Sequence, residues 1–212
     1  MKSDLYVQYG CGLCAPPTWR NFDSSPTLRL QRTAIIGDVL KRTLRLPAWP
    51  SNVEYGDIVL GLPIPLGSCK GIYCSHVLEH LALEDLRRAL VNTYNYLSHE
   101  GTFRLVMPDL RLLAERYVAQ RDENAAFLLM QASGLGRRER VRGLKGVLKF
   151  LLSNSGHLWL WDYESIRSEL ARIGFRNIRR AEFGDAADER FRDVEDEARW
   201  HECLAVECVK YG

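Results

Sequence analysis

A short apolar strand runs directly into a polar turn in the segment Gly71–Leu81, which reads Gly-Ile-Tyr-Cys-Ser-His-Val-Leu-Glu-His-Leu. A helical pattern follows the turn at once. This order of strand, turn and helix is typical of an α/β sheet, in which a polar turn at the carboxyl end of a strand faces the ligand crevice. Ser75 and His76 are therefore predicted to lie beside a bound ligand.

Strands and amphipathic helices alternate along the rest of the chain, and this alternation favours an α/β fold with a doubly wound, mostly parallel, seven-stranded sheet. No helical pattern separates the last two strands, so we expect the last strand to be antiparallel. Asp109 and Asp162 each precede a helical stripe and are predicted to cap it. The predicted strands are 5–9, 19–23, 57–60, 71–74, 102–107, 177–183 and 203–209, and the clearest helices are 84–97 and 162–174.

The length of 212 residues fits a single domain, 1–212, in which residues 122–160 match no strand–helix unit and are interpreted as an inserted helical cap. A formal net charge of +2, from 29 basic and 27 acidic residues, gives no field that would attract nucleic acid. No apolar run is long enough to span a membrane, and the amino terminus lacks an apolar signal core. We therefore expect a soluble cytoplasmic protein whose six cysteines are reduced thiols.

A glycine turn, Gly10-Cys-Gly12, ends the first predicted strand, where glycine allows a ligand to approach the backbone closely. Taken alone, it fits an ordinary tight turn equally well. Asp23 ends the second strand, where a carboxylate can accept hydrogen bonds from both hydroxyls of a ribose. Asp57 and the loop Gly61–Gly67 follow in the third strand region. These features form an ordered set at the ends of the first three predicted strands.

This ordered set, ending in the turn 75–80, resembles the class I S-adenosylmethionine-dependent methyltransferases, and most of all the short ones associated with sugar methylation. The resemblance covers roughly 5–110 by motif and 157–209 by layout. It departs from the family pattern in a missing third glycine, replaced by Cys14, and in a short interval before Asp23, which predicts a shortened first helix. It implies S-adenosylmethionine as the cofactor, bound by Tyr9, Gly10, Gly12, Asp23, Asp57, Leu62, Ser75 and His76.

The implied reaction is a substitution at carbon, for which the protein mainly has to align the acceptor with the methyl group. A hydroxyl acceptor also benefits from a positioned base, and the candidates are His157, Asp109 and His76. The aromatic rings of 158–162 would suit a sugar or another small-molecule acceptor, and a phosphate-bearing one is among the acceptors considered. Each candidate also has a structural interpretation: Asp109 as a helix cap, His157 as a packed side chain and His76 as a wall of the cofactor pocket.

Other functions remain open at this stage. His76, Glu79 and His80 match the His-x-x-Glu-His pattern of some zinc hydrolases, although the pattern adjoins a strand and no metal is expected. A non-catalytic module with the same fold, and a methyltransferase that acts on RNA or protein, are further alternatives. The dinucleotide pattern that starts at Gly10 is interrupted by Pro16 and Pro17, which cannot continue a helix.

Two segments are candidates for contacts with the acceptor. The basic segment 137–152 is interpreted as a solvated helix face, or alternatively as a surface for a negatively charged acceptor or an anionic membrane. The polar link 184–202 carries Glu195, Trp200 and His201 and is a possible lid over the ligand. The oligomeric state is left open.

Overall fold

The structure is a computed structural model, and it describes residues 4–32, 48–137 and 156–211 together with the single positions 139 and 143. A 3₁₀ turn lies at Leu78–His80 and another at Glu189–Asp193. The strands are β1 (Leu5–Tyr9), β2 (Arg20–Asp23), β3 (Val53–Tyr55), β4 (Cys69–Ser75), β5 (Leu97–Pro108), β6 (Phe175–Arg180) and β7 (Cys203–Lys210). The helices are α1 (Pro26–Arg32), α2 (Leu83–Tyr96), α3 (Leu110–Ala119), α4 (Ala125–Ala132), α5 (Tyr163–Ile173) and α6 (Glu197–Trp200).

The seven strands form one sheet in the order β3-β2-β1-β4-β5-β7-β6. The first five strands pair in parallel, and β7 is antiparallel to both β5 and β6. The predicted fold class is therefore confirmed. The strand order changes direction between β1 and β4, which is the point where open α/β sheets bind their ligands.

One face of the sheet packs against α2 and α5 and forms the main core. Alternate strand residues point to this face, among them Val7, Ile72 and Phe103, all at most 1% exposed. The helices contribute their apolar stripes, such as Leu90 and Leu170. Asp162 begins α5 with a capping box, and Gly174 ends it with φ = 121°, a backbone conformation that favours glycine.

The opposite face of the sheet is covered by the link 181–202 between β6 and β7. Its side chains Phe191, Val194 and Trp200 pack on residues of the strands and of the β1–β2 connection, including Tyr73. The connection 10–19 between β1 and β2 contains turns and no helix. The sequence predicted a shortened helix there, and the structure shows that the link from the far end of the chain covers this face instead.

A buried arginine fixes this link to the sheet. The side chain of Arg104 on β5 is 0% exposed and forms ion pairs with Glu195 at 2.7 Å and Glu207 at 2.6 Å. Asp185 at the start of the link is a further partner at 3.0 Å. A charge taken out of water requires such partners, because the desolvation of an unpaired ion costs several kcal/mol. The ion pairs therefore determine where the link lies.

The third strand differs from its predicted position. It lies at Val53–Tyr55, whereas the predicted segment 57–60 forms a turn in which the amide of Gly61 donates to the carbonyl of Asp57 at 2.9 Å. The turn is stabilised by the Asp57 carboxylate, which accepts from the amide of Val59 at 2.8 Å. The side chain of Ile58 is buried in the main core, so its hydrophobicity reflects a buried turn and not a strand.

The segment 122–160, which the sequence predicts to be an inserted cap, contains α4, and residues 138, 140–142 and 144–155 lie outside the described residues. Most of the basic segment 137–152 therefore lies outside them as well. Among the helices that the structure describes, none has both the length and the hydrophobicity needed to cross a membrane. All six cysteines are free thiols, as predicted.

Candidate functional site

The carboxyl ends of β1, β2 and β3 converge at one edge of the sheet. The amide of Cys11 donates to the carbonyl of Phe22 at 3.1 Å, and the amide of Gly56 donates to the carbonyl of Asp23 at 3.1 Å. The Asp23 carboxylate accepts from the amide of Gly12 at 3.0 Å and from the amide of Ser25 at 2.8 Å. The acid and the glycine turn that the sequence singled out are therefore in direct contact.

The glycine turn packs against the turn that follows β4. Gly10 has φ = 65°, and a Cβ atom at this position would lie 2.1 Å from Cγ2 of Val77. Gly12 has φ = 56°, but a Cβ there would meet no atom within 4 Å. The first glycine is thus required by packing, whereas the second leaves open space where a ligand can approach.

The turn after β4 exposes polar backbone at the same edge. The carbonyl of Ser75 accepts from the guanidinium of Arg199 at 2.7 Å. Its buried hydroxyl has no hydrogen-bond partner among the described residues. His76 follows with φ = 54°, and its amide donates to the carbonyl of Val106 at 2.8 Å. An unpaired buried hydroxyl is unusual in a folded protein, and this one has a hydrogen bond to offer.

The imidazole of His76 is held as a cation. Its Nδ1 lies 3.2 Å from the Glu79 carboxylate, and its Nε2 lies 2.9 Å from the carbonyl of Arg199. Burial opposes the charged form, but the interactions with Cys203, the nearby Glu79 carboxylate and the Arg199 carbonyl outweigh it and raise the pKa of His76 to about 10. Both ring nitrogens are engaged, so His76 is placed to orient neighbouring groups and not to bind a metal.

A cavity of about 230 Å³ lies between the glycine turn and the turn after β4. Its wall includes Gly10, Cys11 and Ser75, and the link adds Val194, Asp196 and Arg199. Arg199 and Asp196 were not predicted from the sequence, since nothing in the local pattern of the link shows that it folds back to this edge. Burial raises the pKa of the Cys11 thiol to about 12, which makes it unreactive at neutral pH.

Three other residues are predicted to bind the cofactor: Tyr9 and Leu62 lie in the main core, and Asp57 lies in the turn after β3. The side chain of Tyr9 is 2% exposed and its hydroxyl lies 3.2 Å from Oγ1 of Thr93, so only its backbone faces the cavity edge. Leu62 is buried, and its amide is not free to donate to a ligand because it donates to the hydroxyl of Tyr96 at 2.7 Å. Asp57 lies in the turn that directly follows Gly56 and so stands next to Asp23 in space.

The remaining candidate catalytic residues lie at the same edge, beyond β4. Asp109 caps α3 by accepting from the amides of Arg111 and Leu112 at 2.9 and 3.4 Å, which confirms the predicted cap. Segment 157–162 runs past this cap, because the amide of Leu110 donates to the carbonyl of Trp161 at 2.9 Å. His157 thereby comes to lie against His80, with ring centroids 4.8 Å apart.

Glu195, Trp200 and His201, the link residues that suggested a lid, do not lie together over the cavity. Glu195 is paired with Arg104 inside the protein, and Trp200 is 8% exposed with its indole donating to the hydroxyl of Tyr73 at 3.2 Å. The side chain of His201 is 81% exposed. The link is therefore anchored on the sheet and reaches the cavity through Asp196 and Arg199.

The whole chain is similar to solved methyltransferase structures. One is a SAM dependent methyltransferase from Archaeoglobus fulgidus, with a TM-score of 0.52, 15% identity and coverage of 98% of this chain and 86% of that chain. The fold is that of the class I S-adenosylmethionine-dependent methyltransferases. The complex between the Haloferax volcanii Trm112 methyltransferase activator and the putative methyltransferase also matches, with a TM-score of 0.50 and 13% identity. The match covers 100% of this chain and 84% of that chain.

A structure of PigF with SAH matches at a TM-score of 0.49 and 18% identity over 97% of this chain. The chain spans 50% of the PigF chain, about half its length. No protein-family model and no curated protein sequence matches the chain. At these identities the similarities define the methyltransferase fold, and the activity has to be inferred from the site.

Proposed function

We propose that the protein transfers a methyl group from S-adenosylmethionine to a hydroxyl, or another nucleophile, of a sugar or small-molecule acceptor. The observation that carries this proposal is the contact between Asp23 and the glycine turn at the switch point of a sheet with the methyltransferase strand order. The unpaired hydroxyl of Ser75 at the neighbouring turn adds a second polar group at the same point.

The residues at this edge suit the parts of the cofactor. Each oxygen of the Asp23 carboxylate accepts one backbone amide and keeps a further lone pair that a ribose hydroxyl could use, and the open space beside Gly12 allows a ligand to contact the backbone. The turn at Ser75 offers a hydroxyl and a carbonyl oxygen to the charged methionine part of the cofactor. The turn at Asp57 adjoins Asp23 and would border the adenine. When bound, S-adenosylmethionine supplies a methyl group on a positively charged sulfur.

Cofactor binding would require movement of the link. The cavity of about 230 Å³ is smaller than the about 300–1,000 Å³ usual for sites that enclose a small molecule. The guanidinium of Arg199 also occupies the carbonyl of Ser75. A local shift of α6, which contains Arg199 and lies beyond the part of the link that Arg104 anchors through Asp185 and Glu195, would enlarge the cavity and free this carbonyl. We therefore propose that α6 acts as the gate of the cofactor site.

The acceptor would enter between β4 and the segment 157–162, where aromatic rings and candidate bases lie together. Trp159 is 44% exposed and its ring lies 6.0 Å from that of Trp161. Half-exposed aromatic rings of this kind form favourable contacts with the apolar faces of sugars and other rings. His157 is the candidate base whose side chain lies at this entrance, whereas Asp109 is engaged as a helix cap.

A turnover assay tests this function. Purified protein is incubated with S-adenosylmethionine and a panel of sugars and small hydroxyl compounds, and S-adenosylhomocysteine is quantified by mass spectrometry. We expect acceptor-dependent product with the wild type, and a loss of at least about tenfold with Asp23→Ala, in line with one or more lost charge-assisted hydrogen bonds. The surface variant Asp85→Ala serves as the control. Binding of the cofactor without turnover for any acceptor would favour the non-catalytic module.

A further inference from the structure

Three potential metal ligands meet beside the turn after β4. Glu79, His80 and His157 each offer a ligand atom, and these atoms lie within 4.8 Å of one another. Glu79 and His80 belong to the 3₁₀ turn Leu78–His80, and His157 comes from the other side of the acceptor entrance. We propose that these three residues form a binding site for a divalent transition-metal ion.

Both imidazoles are oriented as metal ligands are. Nδ1 of His80 lies 3.1 Å from the carbonyl of Gly156, and Nδ1 of His157 lies 2.7 Å from the carbonyl of Ser133. A carbonyl only accepts hydrogen bonds, so Nδ1 of each ring carries the proton and Nε2 keeps its lone pair. A backbone carbonyl on the second ring nitrogen is the usual device that fixes the tautomer of a metal-binding histidine.

The carboxylate of Glu79 is buried and incompletely satisfied. Glu79 is 0% exposed, and within the described part of the chain neither of its carboxylate oxygens makes a hydrogen bond of good geometry. Nδ1 of His76 lies 3.2 Å from Oε1. A buried carboxylate with unsatisfied oxygens is costly. An ion bound between Glu79 and the two imidazoles would satisfy the free oxygen, with His76 holding the other.

The fold also holds His157 in place. The carbonyl of Glu79 accepts from the amides of Leu158 and Trp159 at 2.7 and 3.2 Å, which fixes the backbone after His157 to the 3₁₀ turn. The imidazole itself rests on Gly134, where a Cβ atom would lie 2.4 Å from Nδ1. Backbone hydrogen bonds and a missing side chain thus place the ring beside Glu79.

Two imidazoles and one carboxylate define the class of ion. This donor set suits zinc, iron(II), cobalt(II) or manganese(II), whereas magnesium prefers oxygen ligands alone. Bonds of about 2.0–2.2 Å put neighbouring ligands of a tetrahedral ion about 3.3 Å apart. The ligand atoms, now within 4.8 Å, would close by at most about 1.5 Å on binding, and the three protein ligands would leave a position open for a further oxygen.

The role of the open coordination position, to bind the acceptor, rests on the proposed function. The ion would stand at the acceptor entrance and hold a hydroxyl oxygen of the acceptor, lowering the pKa of that hydroxyl. With the ion bound, His157 would be a ligand and not the base. The oxygen would then bond to the methyl carbon as the carbon–sulfur bond breaks, and the hydroxyl proton would leave to water. An acceptor with neighbouring hydroxyls, such as a sugar, would be favoured, because an ion that expands from four to five ligands can hold two oxygens.

Cobalt(II) titration of the chelator-treated full chain tests the site, with visible absorbance as the readout. We expect one equivalent to bind, and Glu79→Gln and His157→Ala to weaken binding at least about tenfold, as expected for lost ligands. His201→Ala, at an exposed histidine of the link, is the control and should bind as the wild type does. Equal cobalt affinity in all four proteins, or no binding by the wild type, would overturn the proposal.

A further variant tests the metal site without removing any of its ligands. Gly134→Ala should displace the His157 imidazole and weaken cobalt binding while every ligand is still present, and unchanged affinity would contradict the proposed position of His157. Titration of each variant with S-adenosylhomocysteine separates the two proposals. Loss of cobalt with unchanged S-adenosylhomocysteine affinity supports the metal site, whereas a wild type that binds cobalt but not S-adenosylhomocysteine refutes the proposed cofactor and leaves the metal site standing.

Discussion

Substituting alanine at the two glycines of the β1 turn should have unequal effects, although both have left-handed backbone. Gly10 has φ = 65° and Gly12 has φ = 56°. A non-glycine residue in this region costs about 1 kcal/mol. At Gly10 the new Cβ would also lie 2.1 Å from Cγ2 of Val77, closer than any real contact, whereas at Gly12 it would meet nothing.

The clash with Val77 determines how far Gly10→Ala lowers the free energy of unfolding. Overpacking of a well-packed site costs about 1–3 kcal/mol, so Gly10→Ala should lower the free energy of unfolding by about 3 kcal/mol in total and Gly12→Ala by about 1 kcal/mol. Val77→Ala would remove Cγ2 and leave only the Val77 Cβ, at 3.4 Å, an ordinary contact. The double variant should therefore recover about 2 kcal/mol relative to the sum of the single variants, within the range of measured coupling energies.

Urea denaturation followed by tryptophan fluorescence and by circular dichroism provides the four free energies of this cycle. The denaturant dependence should be equal in all variants, since the unfolded surface does not change. Equal costs at the two glycines, or additive costs of Gly10→Ala and Val77→Ala, would refute the packing of the glycine turn against the turn after β4. Gly12→Ala should be stable enough for binding studies and should weaken S-adenosylhomocysteine binding, because its methyl group enters the open space beside the turn.

Three further predictions concern the link and the helices. Arg104→Met should lower the free energy of unfolding by about 3–5 kcal/mol, because Glu195 would stay buried without a counter-charge; a denaturation midpoint equal to that of the wild type would contradict this. Arg199→Ala should tighten S-adenosylhomocysteine binding several-fold in calorimetry, because the closed link no longer competes, and unchanged affinity would argue against the gate. Hydrogen bonds from Arg87 lower the pKa of Glu169 below 4.5, so its contribution is present above that pH and is lost as pH falls through the lowered value. Glu169→Gln should therefore be less stable than the wild type at pH 7, and a difference that did not shrink in acid would reject the ion pair.

The alternation of strands and helices was sufficient to predict the sheet and its antiparallel last strand, because these follow from local patterns and short connections. The caps at Asp109 and Asp162 were also confirmed, since a cap depends on a few neighbouring residues. The third strand was misplaced because a buried turn around Ile58 has the hydrophobicity of a strand. Coverage of the second sheet face by the link was not predicted, since it depends on a buried arginine and carboxylates far apart in the chain.

The residues of the candidate site also fall into those that the sequence could predict and those that it could not. Asp23 and Gly12 could be predicted together, because the ends of adjacent parallel strands meet at one edge. The group of Glu79, His80 and His157 could not, since His157 reaches the turn through contacts with Gly134 and the Glu79 carbonyl that no spacing in the sequence indicates. The motif that begins at His76 contained two of the three residues, but the structure engages His76 itself with Glu79 and Arg199.

Calorimetric titration of the purified protein with S-adenosylhomocysteine, repeated on Asp23→Ala and on the control Asp85→Ala, tests the central claim most directly. We predict a micromolar dissociation constant for the wild type and the control, equivalent to about −8 kcal/mol, and binding at least about tenfold weaker in Asp23→Ala. Absence of binding by the folded wild type, or equal affinity in Asp23→Ala, would contradict a cofactor site at the carboxyl ends of β1, β2 and β4.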